Sequence, residues 1–232
     1  MHQRRPIIEL RDVWKTYPMG DTPVHALRGV TLSIYPGEFV AIQGPSGSGK
    51  STMMNMVGCL DVPSKGDILL DGRNIAHLTE SDLARIRGRK IGFIFQKFNL
   101  ISTLSALENV MLPMIFQSVA PDERRRKARA LLELVNLGDR VNHRPNELSG
   151  GQQQRVAIAR ALAVDPDVIL ADEPTGNLDS TTGKSVMEFL KRLNAEQKKT
   201  IVLVTHDDAL AKIAARIENL KDGQFTLKGR AR

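Results

Sequence analysis

FVAIQGPSGSGKSTMM, residues Phe39 to Met54, is the stretch around which the chain is organised. Its first four residues, Phe39-Val40-Ala41-Ile42, form the continuous apolar run expected of a buried strand. A helix is expected from about Lys50 onward. Between them Gly44, Pro45, Ser46, Gly47, Ser48, Gly49, Lys50 and Ser51 fit the pattern G-x-x-x-x-G-K-[ST]. Glycines let the backbone curl so that successive N–H groups converge on one point. The helix behind adds its free N-terminal N–H groups and the positive end of its dipole. Such a turn suits a polyphosphate. Lys50 is expected to reach the β- and γ-phosphates, Ser51 to ligate Mg²⁺, and Thr52 to bond the α-phosphate.

Composition sets the bounds. The 232 residues suffice for one large domain or two small ones, and 41% hydrophobic with 25% charged residues is ordinary for a globular protein. Met1–Pro6 has basic residues with no apolar stretch behind them, so no signal peptide is expected. No apolar run reaches the roughly 18–20 residues of a membrane span. The single cysteine, Cys59, excludes an internal disulfide and a cysteine-rich zinc site, and its apolar neighbours suggest simple packing. The net charge of +7 is compatible with nucleic acid or an anionic surface, but a nucleotide site also calls for positive charge. The chain reads as cytoplasmic.

Ile7–Val13, Val30–Ile34, Phe39–Ile42, Asp67–Leu70 and Ile91–Phe95 read as strands, and Ser81–Arg87 as a helix capped by Ser81. The middle differs: Leu104–Met111, Pro121–Val135 and Gly151–Ala163 all read as helices. In the second of these, Arg124-Arg125-Arg126-Lys127 is expected to be a solvated face, with Leu131, Leu132 and Val135 on the buried side. Strands then return at Val168–Ala171 and Thr200–Val204, as uninterrupted apolar runs covered on both faces. Helices Thr182–Leu193 and Asp208–Ile213 accompany them, and Ile217–Leu227 resembles a hairpin around Asp222-Gly223. An α/β body thus brackets a helical middle, roughly Lys97–Asp165.

In parallel α/β sheets ligands collect at the carboxyl ends of the strands. Gly44, Gln96, Asp172-Glu173 and His206 all follow apolar strand-like runs. Asp172 is placed to hold Mg²⁺. Glu173 can take a proton from an attacking water. Gln96 can offer its amide oxygen to the metal or orient water. His206 can bond a γ-phosphate oxygen or the lytic water. Leu148-Ser149-Gly150-Gly151-Gln152 is a second glycine turn that opens a helix, hence a second phosphate-binding terminus. One copy needs only one cradle, so the second suggests a nucleotide held by another copy.

Taken together, these segments resemble the nucleotide-binding subunits of ABC transporters. GPSGSGKST corresponds to their Walker A, LSGGQ at Leu148–Gln152 to their signature, and VILADE at Val168–Glu173 to their Walker B. Gln96 matches the Q-loop glutamine, Asn177-Leu178-Asp179 the D-loop and His206 the switch histidine. Tyr17 matches the A-loop aromatic that stacks on adenine. The wording of IGFIFQKFNLI, LSALENV, LSGGQQQRVAIARAL and ADEPTGNLDS is most similar to the lipoprotein-releasing and macrolide-efflux type of ATPase, with cell-division ATPases close by.

The resemblance implies a P-loop NTPase fold: a RecA-like, mostly parallel sheet with helices on both faces, plus an antiparallel β subdomain and an inserted helical subdomain. It assigns residues 1–96 and 166–232 to the ATP-binding core and 97–165 to the helical subdomain carrying the signature. It implies an ATPase using ATP and Mg²⁺, with Ser51, Gln96 and Asp172 at the metal and Lys50, Gln96, Glu173 and His206 in catalysis. Two copies are expected to pack head-to-tail, each ATP lying between Lys50's loop and the other copy's Ser149-Gly150-Gly151, with Asp179 across the interface. The implied partner is an integral membrane permease at the cytoplasmic face of the membrane, with room for an extracytoplasmic accessory protein. Phe98, Leu100 and Ile101 are expected to line part of the permease groove. Two rivals are weaker. A soluble ATPase acting on nucleic acid or ribosomes lacks support, because no long heptad insertion separates the glycine loops and no second ATPase unit is present. A bare dimerisation module has no use for Glu173.

Overall fold

The computed structural model describes residues 5–18, 20 and 22–226. Met1–Arg4, within the basic start, and Leu227, at the end of the expected hairpin, lie outside them. The strands are β1 (Ile8–Tyr17), β2 (Val24–Ile34), β3 (Phe39–Gln43), β4 (Lys65–Leu70), β5 (Arg73–Asn74), β6 (Ile91–Phe95), β7 (Val168–Asp172), β8 (Thr200–Thr205), β9 (Arg216–Lys221) and β10 (Gln224–Phe225). They form an antiparallel four-stranded sheet, β2-β1-β4-β5, and a six-stranded sheet, β10-β9-β3-β8-β7-β6. In the larger sheet β9, β3, β8, β7 and β6 run parallel, and only β10 is antiparallel. The helices are α1 (Lys50–Val57), α2 (Glu80–Lys90), α3 (Ala106–Phe116), α4 (Pro121–Leu134), α5 (Gly150–Leu162), α6 (Ser180–Gln197) and α7 (Asp208–Ala211).

Side chains of a strand alternate between faces, so each apolar run of the large sheet serves two cores. Phe39, Ala41, Ile169, Ala171, Ile201 and Leu203 face the layer built by α3, α4, α5 and α6. Val40, Ile42, Val168, Leu170, Val202 and Val204 face α1, α2 and the small sheet, meeting Met53, Met56, Leu83, Leu10 and Ile34. Cys59 is buried in this second core, and burial pushes its thiol up to about 11. It packs as an inert apolar group. On α4, Arg125, Arg126 and Lys127 are exposed, while Ala128 and Leu132 are buried; Arg124 departs from the expected solvated face, half-buried and donating to the Val119 carbonyl at 3.0 Å.

Two helix ends correct the sequence reading. Ser81 lies inside α2, whose cap is Thr79: its hydroxyl oxygen accepts from the Asp82 N–H at 3.3 Å and donates to the Asp82 carboxylate at 2.9 Å. The winning signal is the capping pattern T-x-x-D, with the acid three residues on. α3 starts at Ala106 instead of Leu104, because Ser105 and Glu108 form a capping box, and it runs through Pro113 to Phe116. Met114 is 1% exposed, so core packing beyond the proline outweighs one lost helix bond.

Asn109 holds the connection that leads from the large sheet into α3. It is fully buried; its amide oxygen accepts from the Ile101 N–H at 2.8 Å, and its amide nitrogen faces the carbonyls of Ile101, Leu104 and Ser105 at 3.0–3.1 Å. Replacing it leaves these buried backbone groups unpaired. Asn109→Ala is expected to destabilise the fold by about 2–3 kcal/mol. Denaturant unfolding checks this, with Glu188→Ala, at an exposed position inside the helix Ser180–Gln197, as a near-neutral reference.

Candidate active site

The parallel strands deliver their carboxyl ends to one edge of the large sheet, and a cleft of about 1170 Å³ opens there. Pro45, Ser46, Gly47, Gly49, Lys50, Ser51, Thr52, Gln96, Asp172, Glu173 and His206 line it, joined by residues including Val24, Arg28, Asp222 and Gly223 from a rim that adjoins the loop, the Gly223 N–H donating to the Ser48 carbonyl at 3.1 Å. The four stations read from the sequence therefore converge.

The loop after β3 is shaped by close approach. A Cβ on Gly44 would collide with the Leu220 carbonyl, and one on Gly49 with the Ala26 carbonyl. Gly49 also sits at φ +99°, a conformation that disfavours other residues. Lys50 is 7% exposed, and its ammonium donates to the Gly44 and Pro45 carbonyls at 2.8 Å each. An ammonium has three donors, so one is left for a ligand oxygen. The Ser48 hydroxyl is buried without a hydrogen-bond partner. A curled loop held by backbone contacts, with a charge-unpaired lysine among the described residues and an orphaned hydroxyl, fits a polyphosphate.

Asp172 is the last residue of β7, and Glu173 follows at φ +45°, its N–H donating to the Val204 carbonyl at 2.9 Å. That turn carries the Glu173 carboxylate to His206, whose Nδ1 lies 2.8 Å from Glu173 Oε1. Burial, then the Glu173 charge, pushes the Asp172 carboxyl above its ordinary range; Lys50 and the Ser51 hydroxyl beside it pull the other way. Two adjacent carboxylates next to a serine hydroxyl make a site that a divalent cation would relieve.

Gln96 lines the cleft, and its segment is held from three directions. Asn177 Nδ2 donates to the Gln96 carbonyl at 2.9 Å, and Arg160 donates to the Phe98 and Asn99 carbonyls. Gln154, fully buried, spans the Phe95 and Pro174 carbonyls. Sequence reading missed Gln154, Asn177 and Arg160 as supports, because a polar side chain on a helix or in a turn carries no mark of its tertiary partner. It also missed Val24 and Arg28 in the cleft lining.

Other candidates lie elsewhere. Ser149, Gly150, Gly151 and Gln152 do not line the cleft. Ser149 caps α5 in a capping box with Gln152. Asp179 caps α6, accepting from the Thr181 and Thr182 N–H groups at 3.0 Å; the Thr182 hydroxyl first, and then these N–H groups, hold its carboxyl below the usual range. Tyr17 is not in the cleft wall either; its hydroxyl is 2.9 Å from Asp61. Phe98 and Leu100 are half-buried, with Leu100 against the helical-side core, whereas Ile101 is 46% exposed.

Fold and cleft together define a P-loop nucleotide-binding protein. Residues 27–176 match the family model described as ABC transporter. An ABC transporter ATP-binding protein of Thermotoga maritima is 54% identical, over 95% of this chain and 94% of that protein. The macrolide export ATP-binding/permease protein MacB of Syntrophobacter fumaroxidans is 50% identical over 94% of this chain, which spans only 31% of that longer protein. Among solved structures, the dimeric post-hydrolysis state of the ATP-binding cassette MJ0796, bound to ADP and Pi, superposes with a TM-score of 0.89 at 52% identity, covering 97% of this chain and 99% of that one. The chain belongs to the ABC transporter family and is one of its ATP-binding, ATP-hydrolysing subunits.

Removing the Asp172 charge tests the cleft electrostatics. Its raised carboxyl makes ionisation costly to the folded state; the cost is absent when folded and unfolded forms are both protonated, and grows as pH rises past the ordinary value of 3.8. Without nucleotide, Asp172→Asn is expected to raise the melting temperature at pH 8 by roughly 2 °C, and by less near pH 4. The same variant is expected to lose the extra thermal stabilisation that Mg²⁺ gives in the presence of ATP.

Proposed function

We propose that two copies of the chain close head-to-tail on two MgATP molecules and drive a membrane permease as ATP is hydrolysed. The observation that carries this reading is the split of the phosphate-binding elements: the Walker A loop lies in the cleft, whereas Ser149–Gln152 opens a different helix and points to a second molecule. The dimeric MJ0796 cassette supports it.

In this reading Gly44 to Thr52 hold the nucleotide's phosphates, with the free donor of Lys50 on the β- and γ-oxygens. Ser51, Asp172 and Gln96 would hold Mg²⁺, which supplies charge neutralisation at the transferring phosphoryl group. Glu173 orients and deprotonates the water, and His206, bonded to Glu173, fixes that geometry. Ser149, Gly150, Gly151 and Gln152 belong to the partner's site, and Asp179 stands at the interface. Tyr17 provides the platform for adenine. Residues 1–96 with 166–232 act as the ATP-binding core and 97–165 as the helical subdomain.

Among the described residues no helix is long and apolar enough to cross a membrane. The chain matches the ATP-binding part of proteins that also carry a permease, which supports a place at the cytoplasmic face of the membrane, bound through a permease. Export of a lipoprotein, macrolide or similar amphiphile, or transmission of force to extracytoplasmic machinery, is the corresponding work. Exposed Ile101, on the segment after Gln96, is the first residue to change in a coupling test.

Glu173→Gln is expected to retain ATP binding, lose about 10²–10⁴-fold in turnover and accumulate a dimer in ATP. Size-exclusion chromatography with and without ATP, beside a phosphate-release assay, reads both; turnover at the wild-type rate removes the catalytic assignment. Ile101→Lys is expected to keep basal ATPase activity while the permease no longer changes it. Unaltered coupling in reconstituted vesicles removes Ile101 from the groove.

A further inference from the structure

Tyr17 ends β1, where its last pairing is with Val24. A tyrosine at the last rung of a strand has few neighbours to fix its ring. Here the hydroxyl is fixed. It donates to Asp61 Oδ2 at 2.9 Å, and the Thr52 hydroxyl lies beside the same phenol oxygen. Asp61, in the loop after α1, is in turn held at its other oxygen: Lys15 Nζ donates to Oδ1 at 2.6 Å and the Val62 N–H at 2.7 Å. Lys15 also donates to the Val62 carbonyl at 2.7 Å and lies 5.0 Å from the Tyr17 ring centroid. The Lys15 side chain is only 12% exposed, so the cluster is more than a solvated surface pair. Burial works against the Asp61 charge, but the bonds from Lys15, Tyr17 and Val62 outweigh it and hold the carboxyl below its ordinary range.

We propose that Asp61 is a positioning residue for nucleotide binding, anchoring the Tyr17 hydroxyl so that the ring is already set at the height of Thr52 when adenine arrives. The inference rests on the reading of Tyr17 as the adenine platform. Its physical basis is preorganisation. A free phenol ring must be ordered on binding, and ordering a side chain weakens affinity by about three- to tenfold. Asp61 and Lys15 remove that loss in advance. Neither Asp61 nor Lys15 lines the cleft, so the effect is confined to ligands that carry the base.

The test uses the full-length chain and two probes with Mg²⁺: the non-hydrolysable analogue adenylyl imidodiphosphate, and inorganic tripolyphosphate, which has no base. Tyr17→Phe keeps the ring and removes only the anchored hydroxyl. It is expected to weaken the analogue about three- to tenfold and tripolyphosphate less than twofold. Asp61→Ala is expected to do the same, to raise KM for ATP by that factor with kcat unchanged, and to add nothing in a Tyr17→Phe background. Equal loss of both probes, additive losses, or wild-type affinity in Tyr17→Phe overturns the proposal. Tyr17→Leu separates the two levels: if it too binds the analogue as wild type does, the adenine platform itself is wrong. If only Tyr17→Leu loses affinity, the platform stands and the anchor falls. Circular dichroism and melting curves on each variant identify any loss that comes from unfolding.

Discussion

Parallel pairing of β3 with β8 on one side and β9 on the other is the constraint on which the site depends. Parallel strands bring all their carboxyl ends to one edge, and both faces must be covered because the strands are apolar throughout. The covering layers occupy both faces, so the open edge is where the chain has room for a ligand. Gly44, Gln96, Asp172-Glu173 and His206 share a cleft for this reason. The same pairing shapes the phosphate loop, since the Leu220 carbonyl of β9 stands where a Gly44 side chain would be.

A second tier of contacts ties the cleft to the helical layer. Gln154 on α5 reaches both the strand end before Gln96 and the turn after Glu173, and Arg160 on the same helix holds the segment after Gln96. The helix that starts with the signature therefore also supports two of the cleft's stations. Asn109 closes the same segment from the far side. A change in how α5 sits would be felt at Gln96 through a few short hydrogen bonds, without passing through a flexible linker. Buried polar bonds are costly to leave unmade, so a shift of α5 is passed to the Gln96 segment.

Charge is arranged in the cleft to be incomplete without a ligand. Lys50 has two carbonyl partners and a spare donor, Asp172 is buried next to another carboxylate, and Ser48 has a buried hydroxyl with no acceptor or donor. Each of these features is mildly unfavourable by itself, and a polyphosphate with a divalent cation resolves them together. By contrast, the Asp61 cluster is fully satisfied by the chain, consistent with support and not with chemistry.

Much of this was legible from the linear chain. Phe39–Ile42, Val168–Ala171 and Thr200–Val204 are unbroken apolar runs, and a strand buried on both faces has to be written that way. GPSGSGKS is legible because backbone curling around phosphate tolerates few residue types. Local capping was legible in principle, and Thr79 with Asp82 was overlooked only in favour of the nearer Ser81. Other features depended on tertiary packing. The run of α3 through Pro113 was decided by the burial of Met114, and Ile101 was separated from Leu100 by which side of one loop meets the core. The link between Tyr17 and Asp61, 44 residues apart, exists because β1 and the end of α1 are brought side by side. Sequence by itself determined the elements and the chemistry of the phosphate loop, since those rest on local backbone and periodicity. Only the tertiary structure decided which polar side chains support which stations, because such partners are set by the docking of elements distant in the chain.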